Sequence, residues 1–474
     1  MGSCGQKIPS LHLGLGLLRI ANTKSAFGTF ALVNNGAKSY NQFVMESTRK
    51  RFYTNLIPAV LAYTLAGTYV IVDGWFVGNA CGDYGLSALN IAWPVLCVLQ
   101  SLGTGIGTGG AVLYNIQSSS GNHDKAVEYL RATFTYLLIA SVIVIMAIFF
   151  NLEWILRLLG ASGKTLELGL IYSKIVLLGG FSQFIATGIV PIIRNNGDAK
   201  YAMLVMVSGF GFNIVFDWLL IWEFGMGVAG AAYATIGGQL LTAIGGIAYL
   251  IRRKIPVFRF SFRLKQVVRI SQLGISSFGL SICPSISLLL MNRYFAVLGG
   301  AEALAAYAVI SYVISISYSL LQGVAEGTQP LISESYSRED ARALSTYRRR
   351  TYIAGELSAL LSVLLLFCIR KNLGSLFGTS VSAGNLVSEK IWIMLLGMFF
   401  LCFTKIATAG FYAVERALSA MIMAYAEPVL VFLILLVLPG FLGVDGVWYA
   451  EAGAQVLNAI LGVILMCRQR KRGR

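Results

Sequence analysis

Asn213 and Asp217 lie four residues apart in a long apolar run, so a helix places them on one face. Thr235 stands in the next apolar run, as far beyond the turn near Met226 as Asp217 stands before it. In antiparallel neighbouring helices these side chains sit at similar depth. Tyr69 and Asp73 form a second pair with the same spacing, near the far end of the first apolar run. Two acids at matching depth, with amide and hydroxyl groups beside them, could share one cation site. A carboxylate inside a bilayer is costly unless a partner or a water-filled cavity offsets it, so both acids are functional candidates. The plainer alternative for Asp73 is an interfacial group that touches water or caps a loop.

Such side chains need long apolar helices to carry them, and the composition provides these. Of 474 residues, 57% are hydrophobic and 12% charged, with a mean hydropathy of +0.73. The charged share is about half of that usual in soluble domains. The apolar runs are continuous rather than alternating, which favours spanning helices over barrel strands. Twelve helices are expected, at roughly 52–77, 86–114, 127–150, 168–191, 200–222, 228–251, 268–298, 303–332, 347–369, 388–411, 416–439 and 444–467. The net charge of +16 does not indicate nucleic acid, because no basic patch is interleaved with stacking aromatics in a soluble segment. Seven scattered cysteines without a C-x-x-C pair read as small buried hydrophobes. With only His12 and His123, the chain has no histidine-rich metal site.

The cations set the expected orientation. Segments 252–269, 338–350 and 468–474 are strongly basic, whereas 78–85, 223–227 and 440–445 hold no Lys or Arg. Both termini are therefore expected in the cytoplasm, as in a multi-pass protein of the cell (inner) membrane. Residues 1–50 read as an amino-terminal extension, disordered or absent from the mature protein, with Met45 as an alternative start. The first lobe is expected at 51–251, a cytoplasmic linker at 252–267, the second lobe at 268–467 and a basic tail at 468–474. Residues 227–244 align without gaps to 443–460 with ten of eighteen positions identical, which signals duplication. Six helices per half return the chain to its starting side, so the halves are related by an axis along the membrane normal.

Several further residues stand out. Pro58 interrupts the backbone ladder of the first helix and marks a kink or hinge. Gly103, Gly105, Gly107, Gly109 and Gly110 suit close helix packing and could also allow bending. Lys174 could pair with either aspartate or snorkel to the interface. The turn from Arg194 to Lys200 reads as structural, with Gly197 ending one helix and Asp198 capping the next. In the second half the repeat partner of Asp217 is Leu433 and that of Thr235 is Glu451. Glu326 and Glu427 are the other acids in its apolar runs, and Glu326 could attract a cationic substrate or carry a second proton.

Taken in order, these residues resemble the multidrug and toxic compound extrusion (MATE) transporters of the prokaryotic type. The resemblance rests on P-x14-D at Pro58 and Asp73 with Tyr69, on R-x-x-G-D followed by N-x-x-x-D-x-x-x-I, on GVAGAA-x-AT-x-x-x-Q, and on Q-P near the end of the eighth helix. It covers residues 51–467. It implies an all-α polytopic membrane protein with twelve helices in two six-helix lobes. It also implies secondary antiport, in which organic, cationic and amphiphilic compounds leave in exchange for H+ or Na+. Tyr69, Asp73, Asn213, Asp217 and Thr235 would form the coupling site and Pro58 the bending point. Gln183 and Thr187 stand nearest to a fourth-helix asparagine found in some members, and with Glu326 they are candidate cavity residues. The seventh-helix glutamate of sodium-coupled relatives is missing, so no sodium site is expected in the second lobe.

The same resemblance implies a monomer in the lipid bilayer, with no catalytic residues, no cofactor beyond the coupling ion and no metal beyond Na+. The nearest rival is a lipid-linked precursor flippase of the same superfamily. It would favour cations in the cavity, which only a few residues such as Lys174 and Arg293 could approach. A membrane enzyme would need a histidine cluster, a metal-ligand set or a nucleophile elbow. A scaffold would not need acids inside helices. The orientation is tested by a cysteine introduced at Arg263: it should resist membrane-impermeant thiol reagents in intact cells, and ready labelling from outside would reverse the topology.

Overall fold

The computed structural model describes residues 23–255, 257, 259–377 and 380–472. The chain divides into two compact units, 1–51 and 52–474. In the first, the backbone is helical from Thr23 onward; expectations for residues 1–22 lie outside the described residues. Everything below concerns the second unit.

Membrane-spanning backbone has no water to bond with and must satisfy its own N–H and C=O groups, which long helices do. The elements are α1 (Thr23–Ser119), α2 (His123–Leu158), α3 (Gly163–Leu178), α4 (Gly180–Asn195), α5 (Ala199–Asp217) and α6 (Gly227–Arg252). They continue as α7 (Leu264–Tyr294), α8 (Gly300–Ser337), α9 (Ala341–Leu376), α10 (Val381–Ala413), α11 (Ala417–Leu442) and α12 (Val444–Arg472). Two π-helical turns follow α5 and α7, at Trp218–Glu223 and Phe295–Gly299. Among the described residues no strand forms. Among the described residues eleven segments are long and apolar enough to span a membrane, and the bent pair α3 and α4, taken as one span, makes a twelfth. The protein is thus an all-α, twelve-span bundle in two halves of six.

Two boundaries differ from the sequence reading. The connection at 78–85 remains helical, and α1 carries two spans, Thr48–Cys81 and Ser87–Ser119. It contains no proline that would forbid helical dihedrals. The fourth span is broken by 57° at Gly179. A Cβ at Gly179 would lie 2.4 Å from the side chain of Ile236, so α6 presses on the break.

The duplication is visible in the backbone. Gly227 and Gly443 occupy the same repeat position, and both take positive φ, 55° and 58°, where side chains are disfavoured. Three residues on, Gly230 packs against the backbone of Leu220 and Gly446 against that of Leu438. The loops at 119–123, 195–199, 253–263, 337–341 and 413–417 share one end of the bundle. There Arg253 pairs with Asp198, Arg263 with Glu128 and Arg269 with Glu415. We call this the basic end. Asp198 sits at the cap position of α5 but makes no side-chain cap bond, because its carboxylate turns to Arg253.

The glycine row of the second span is a packing device with two faces. A Cβ at Gly107 would sit 2.2 Å from Gly188 O on α4, within the same half. A Cβ at Gly109 would sit 2.2 Å from Ile270 O and 2.9 Å from Gly274 N on α7, in the other half. Main chain meets main chain on both sides, as small residues allow where lipid offers no hydrophobic drive. Gly109→Ala is therefore expected to destabilise the protein by about 1–3 kcal/mol through overpacking. Gly410→Ala, which meets open space, should be neutral or mildly stabilising. Melting curves of the purified variants in detergent check the contrast, and equal melting points would remove the row from the packing.

Candidate functional site

Five side chains singled out in the sequence come together in the first half. α5 carries Asn213 and Asp217, α6 carries Thr235, and the first span of α1 carries Tyr69 and Asp73. The approach of α5 to α6 sets their register. A Cβ on Gly209 would lie 2.7 Å from Gly238 O, and one on Gly238 would lie 2.5 Å from Gly209 O. Larger residues there would push Asn213 away from Thr235, one turn further along. On α1, Tyr69 stacks on Phe210 of α5, with ring centroids 4.7 Å apart and planes 13° from parallel. That contact turns the next polar residue on its face, Asp73, toward α5.

The carboxyl groups of Asp73 and Asp217 are neighbours, with no hydrogen bond formed between them. Neither carboxylate can donate, so the contact becomes a hydrogen bond only when a proton is present. Asp217 is fully buried, and neither of its oxygens has a protein partner. Asn213 is also buried, with both amide atoms unpartnered. Asp73 is half-buried, and its Oδ1 is enclosed without a partner. Buried polar atoms in native proteins are nearly always bonded. Five unpartnered atoms gather on these three residues. Oxygen-rich groups of this kind can take a proton or a hard cation such as Na+.

Two features of the site were not read from the sequence. Tyr172 on α3 is buried beside the cluster, next to Thr235. A tyrosine in an apolar run looks like an interfacial anchor, and only the break at Gly179 gives α3 the direction that brings Tyr172 here. The π-helical turn begins directly after Asp217. Such turns widen a helix and recur at functional sites. Toward the end opposite the basic loops, Trp75, Phe76 and Trp222 pack edge to face over the cluster.

Other expectations fall elsewhere. Thr187 bonds Gln183 O at 2.9 Å and packs against Gly103, so its hydroxyl serves its own helix. The Gln183 side chain is buried. Lys174 is exposed and ion-pairs with neither aspartate. Pro58 lies in α1 where Ala59 and its neighbours press on Gly323 and Gly327 of α8. Glu326 is fully buried far from the aspartates, bound to Arg194, Tyr412 and Gln322. The turn holding Arg194 was read as structural, and the pair with Glu326, 132 residues away, had no local signal. Lys405, also missed, is a single cation inside the apolar run LCFTKIATAG and is buried in the second half. Its position in mid-run was the available signal.

A duplicated twelve-span bundle with unpartnered acids inside one half is built as a membrane transporter rather than an enzyme. The MatE family model matches the chain twice, over residues 58–219 and 277–437, once in each half, and the chain belongs to that family. Among curated relatives, the multidrug export protein MepA of Staphylococcus saprophyticus is 24% identical over 422 residues, covering 88% of this chain and 93% of the relative. MepA of Staphylococcus haemolyticus is 24% identical over 435 residues, covering 88% and 92%. The fold is shared with an outward-facing multidrug resistance MATE family transporter of the MOP superfamily, at a TM-score of 0.83 and 22% identity over 89% of this chain and 96% of that one. It is shared equally with a MOP superfamily transporter from Pyrococcus furiosus, described as having a binding pocket of reversed polarity that suggests a different function. That match has a TM-score of 0.82 at 22% identity, over 89% and 96% of the two chains.

The orphaned amide gives a direct test of site against scaffold. Asn213→Leu should leave the melting point unchanged or raise it, because no protein hydrogen bond is lost. Asn195→Leu removes bonds to Pro191 O, Gln329 and Asn115 and should cost about 1–3 kcal/mol. Thermal unfolding in detergent measures both, and a large loss with Asn213→Leu would make that residue structural.

Proposed function

We propose that the protein is a secondary antiporter that exports organic, amphiphilic and cationic compounds in exchange for H+ or Na+. The adjacency of Asp73 and Asp217, whose buried oxygens lack protein partners, carries this reading. Two adjacent acids without protein partners can exist in a charged and a neutralised form, and the exchanged ion is what neutralises them. The orphaned oxygens of Asp73, Asn213 and Asp217, with the hydroxyl of Thr235 alongside, suit a proton or a Na+ ion, which is the transported substrate rather than a resident group. The export of drugs is supported by the names of the MepA relatives.

In this reading the first lobe spans 51–251 and the second 268–467, joined by the linker 252–267. The tail at 468–474 and both termini face the cytoplasm with the basic end, as the charge bias supports. The protein acts as a monomer in the cell membrane. Neutralising the aspartates removes the charge repulsion between α1 and α5. The first span then repacks about Pro58, and bound compound is released outward as the halves rock about the cavity between them. The rival reading, a lipid-linked precursor flippase, would need free cations for phosphate. Among the described residues the buried cations, Arg194 and Lys405, are instead engaged by Glu326 and Gln322.

Asp73→Asn keeps shape and hydrogen bonding but fixes the site neutral. It should fold at least as well as the parent, since a buried charge has been removed. Ethidium efflux from vesicles under imposed proton or sodium gradients should fall more than tenfold, and substrate binding should lose its pH dependence. Asp217→Asn should behave alike, and the double variant should be little worse, because groups acting as a unit are not additive. Asp445, in an exposed pair with Lys390, is the control, and Asp445→Asn should be nearly silent. Near-normal, pH-dependent efflux by Asp73→Asn at matched expression would place the coupling elsewhere.

A further inference from the structure

The export reading leaves unused a set of buried polar groups where the halves meet near the basic end. Arg194, in the last turn of α4, donates from Nη2 to Glu326 Oε2 on α8 at 2.9 Å. Both side chains are buried, at 3% and 0% exposure. The other carboxylate oxygen, Oε1, accepts from the Tyr412 hydroxyl at 2.7 Å and from Gln322 Nε2 at 3.2 Å. Gln322 is held in turn by Lys405, whose Nζ donates to Gln322 Oε1 at 2.7 Å. Lys405 also stands over the Tyr318 ring at 3.4 Å. A chain of donors thus runs from a lysine deep in the second half to the acid that faces the first.

Further contacts flank the ion pair. Asn195 and Gln329 exchange hydrogen bonds at 3.0 and 3.3 Å. Asn115 donates to Pro330 O at 3.4 Å, and Ser120 to Ser337 O at 3.4 Å. All of these join the first half to the second.

Taking two charges out of water offsets most of what their attraction gains, so a buried ion pair is weak evidence for stability. Its better-attested use is to fix register or to act as a switch. This pair is incompletely satisfied, because Arg194 Nε has no acceptor. It also touches the hinge helix. Arg194 Nη1 donates to the Tyr63 hydroxyl at 3.3 Å, and the guanidinium lies 5.5 Å from the Tyr63 ring centroid. Tyr63 lies on α1 between Pro58 and Asp73. A change of bend at Pro58 that moves Tyr63 therefore acts on Arg194 directly.

We propose that Arg194 and Glu326 form a latch that closes the basic end between the two halves and opens once in each transport cycle, with Tyr63 linking it to the hinge at Pro58. The proposal rests on the export reading above. When the latch parts, both charges need water, so opening admits solvent to this end. When it closes, Asn195 with Gln329 and Ser120 with Ser337 come together as a seal.

The test uses the full chain in proteoliposomes, with its seven native cysteines replaced and the pair Ser120→Cys and Ser337→Cys introduced. Oxidant should join the pair rapidly and arrest ethidium efflux, and reductant should restore it. With Arg194→Gln and Glu326→Gln together, the disulfide should form at least fivefold more slowly, because the end stands open more of the time. Tyr63→Phe, which removes only a hydroxyl, should slow it about twofold to threefold without lowering the melting point. Efflux that continues undiminished through the joined protein overturns the proposal. So does a disulfide rate unchanged in both the double variant and Tyr63→Phe. A parent protein that exports no compound under either gradient counts against the export reading instead, while the disulfide rates still report on the latch.

Discussion

Inside a bilayer no water is available to complete a hydrogen bond, and that constraint governs which polar groups this chain can carry and where. The backbone meets it by staying helical through twelve spans. Several buried hydroxyls meet it locally: Thr133, Thr328, Thr351 and Thr408 each donate to the carbonyl four residues earlier. Longer polar side chains meet it in networks such as the one around Asn195 and Gln329. Against that background the unpartnered atoms of Asp73, Asn213 and Asp217 stand apart. A proton, a cation or an enclosed water would complete them.

Close packing supplies the second half of the explanation. Polar groups cannot be aligned to a few tenths of an ångström by lipid, but backbones that touch can do it. Gly209 against Gly238 registers α5 on α6, Gly107 against Gly188 registers α1 on α4, and Gly109 against Gly274 registers α1 on α7. The first of these contacts positions the acids and the last joins the halves. The first span of α1 bears Asp73 and also packs at Ala59 and Val60 on Gly323 of α8, so site and interface meet on that span.

The spans, the duplication and the five clustered residues were legible in the sequence, because each is written in local spacing. Fourfold spacing puts Asn213 with Asp217 and Tyr69 with Asp73, and equal distance from a turn puts Thr235 beside them. What was not legible depends on direction or distance in space. Tyr172 joins the site because Gly179 breaks a span that reads as continuous. Arg194 and Glu326 belong to different halves, and each has an ordinary local reading. Asp198 looked like a helix cap, and Arg253 claims it instead. Lys405 was visible as a charge in an apolar run, yet only its bond to Gln322 shows that it stays there.

The buried pair across the halves also bears on how the protein is made. Arg194 is synthesised 132 residues before the acid that neutralises it. At ribosomal rates of about 5–20 residues per second, the gap is roughly 7–26 s. For that time the nascent first half holds a guanidinium at the membrane without its acid. The first half therefore lacks the acid that partners Arg194 until α8 has been synthesised.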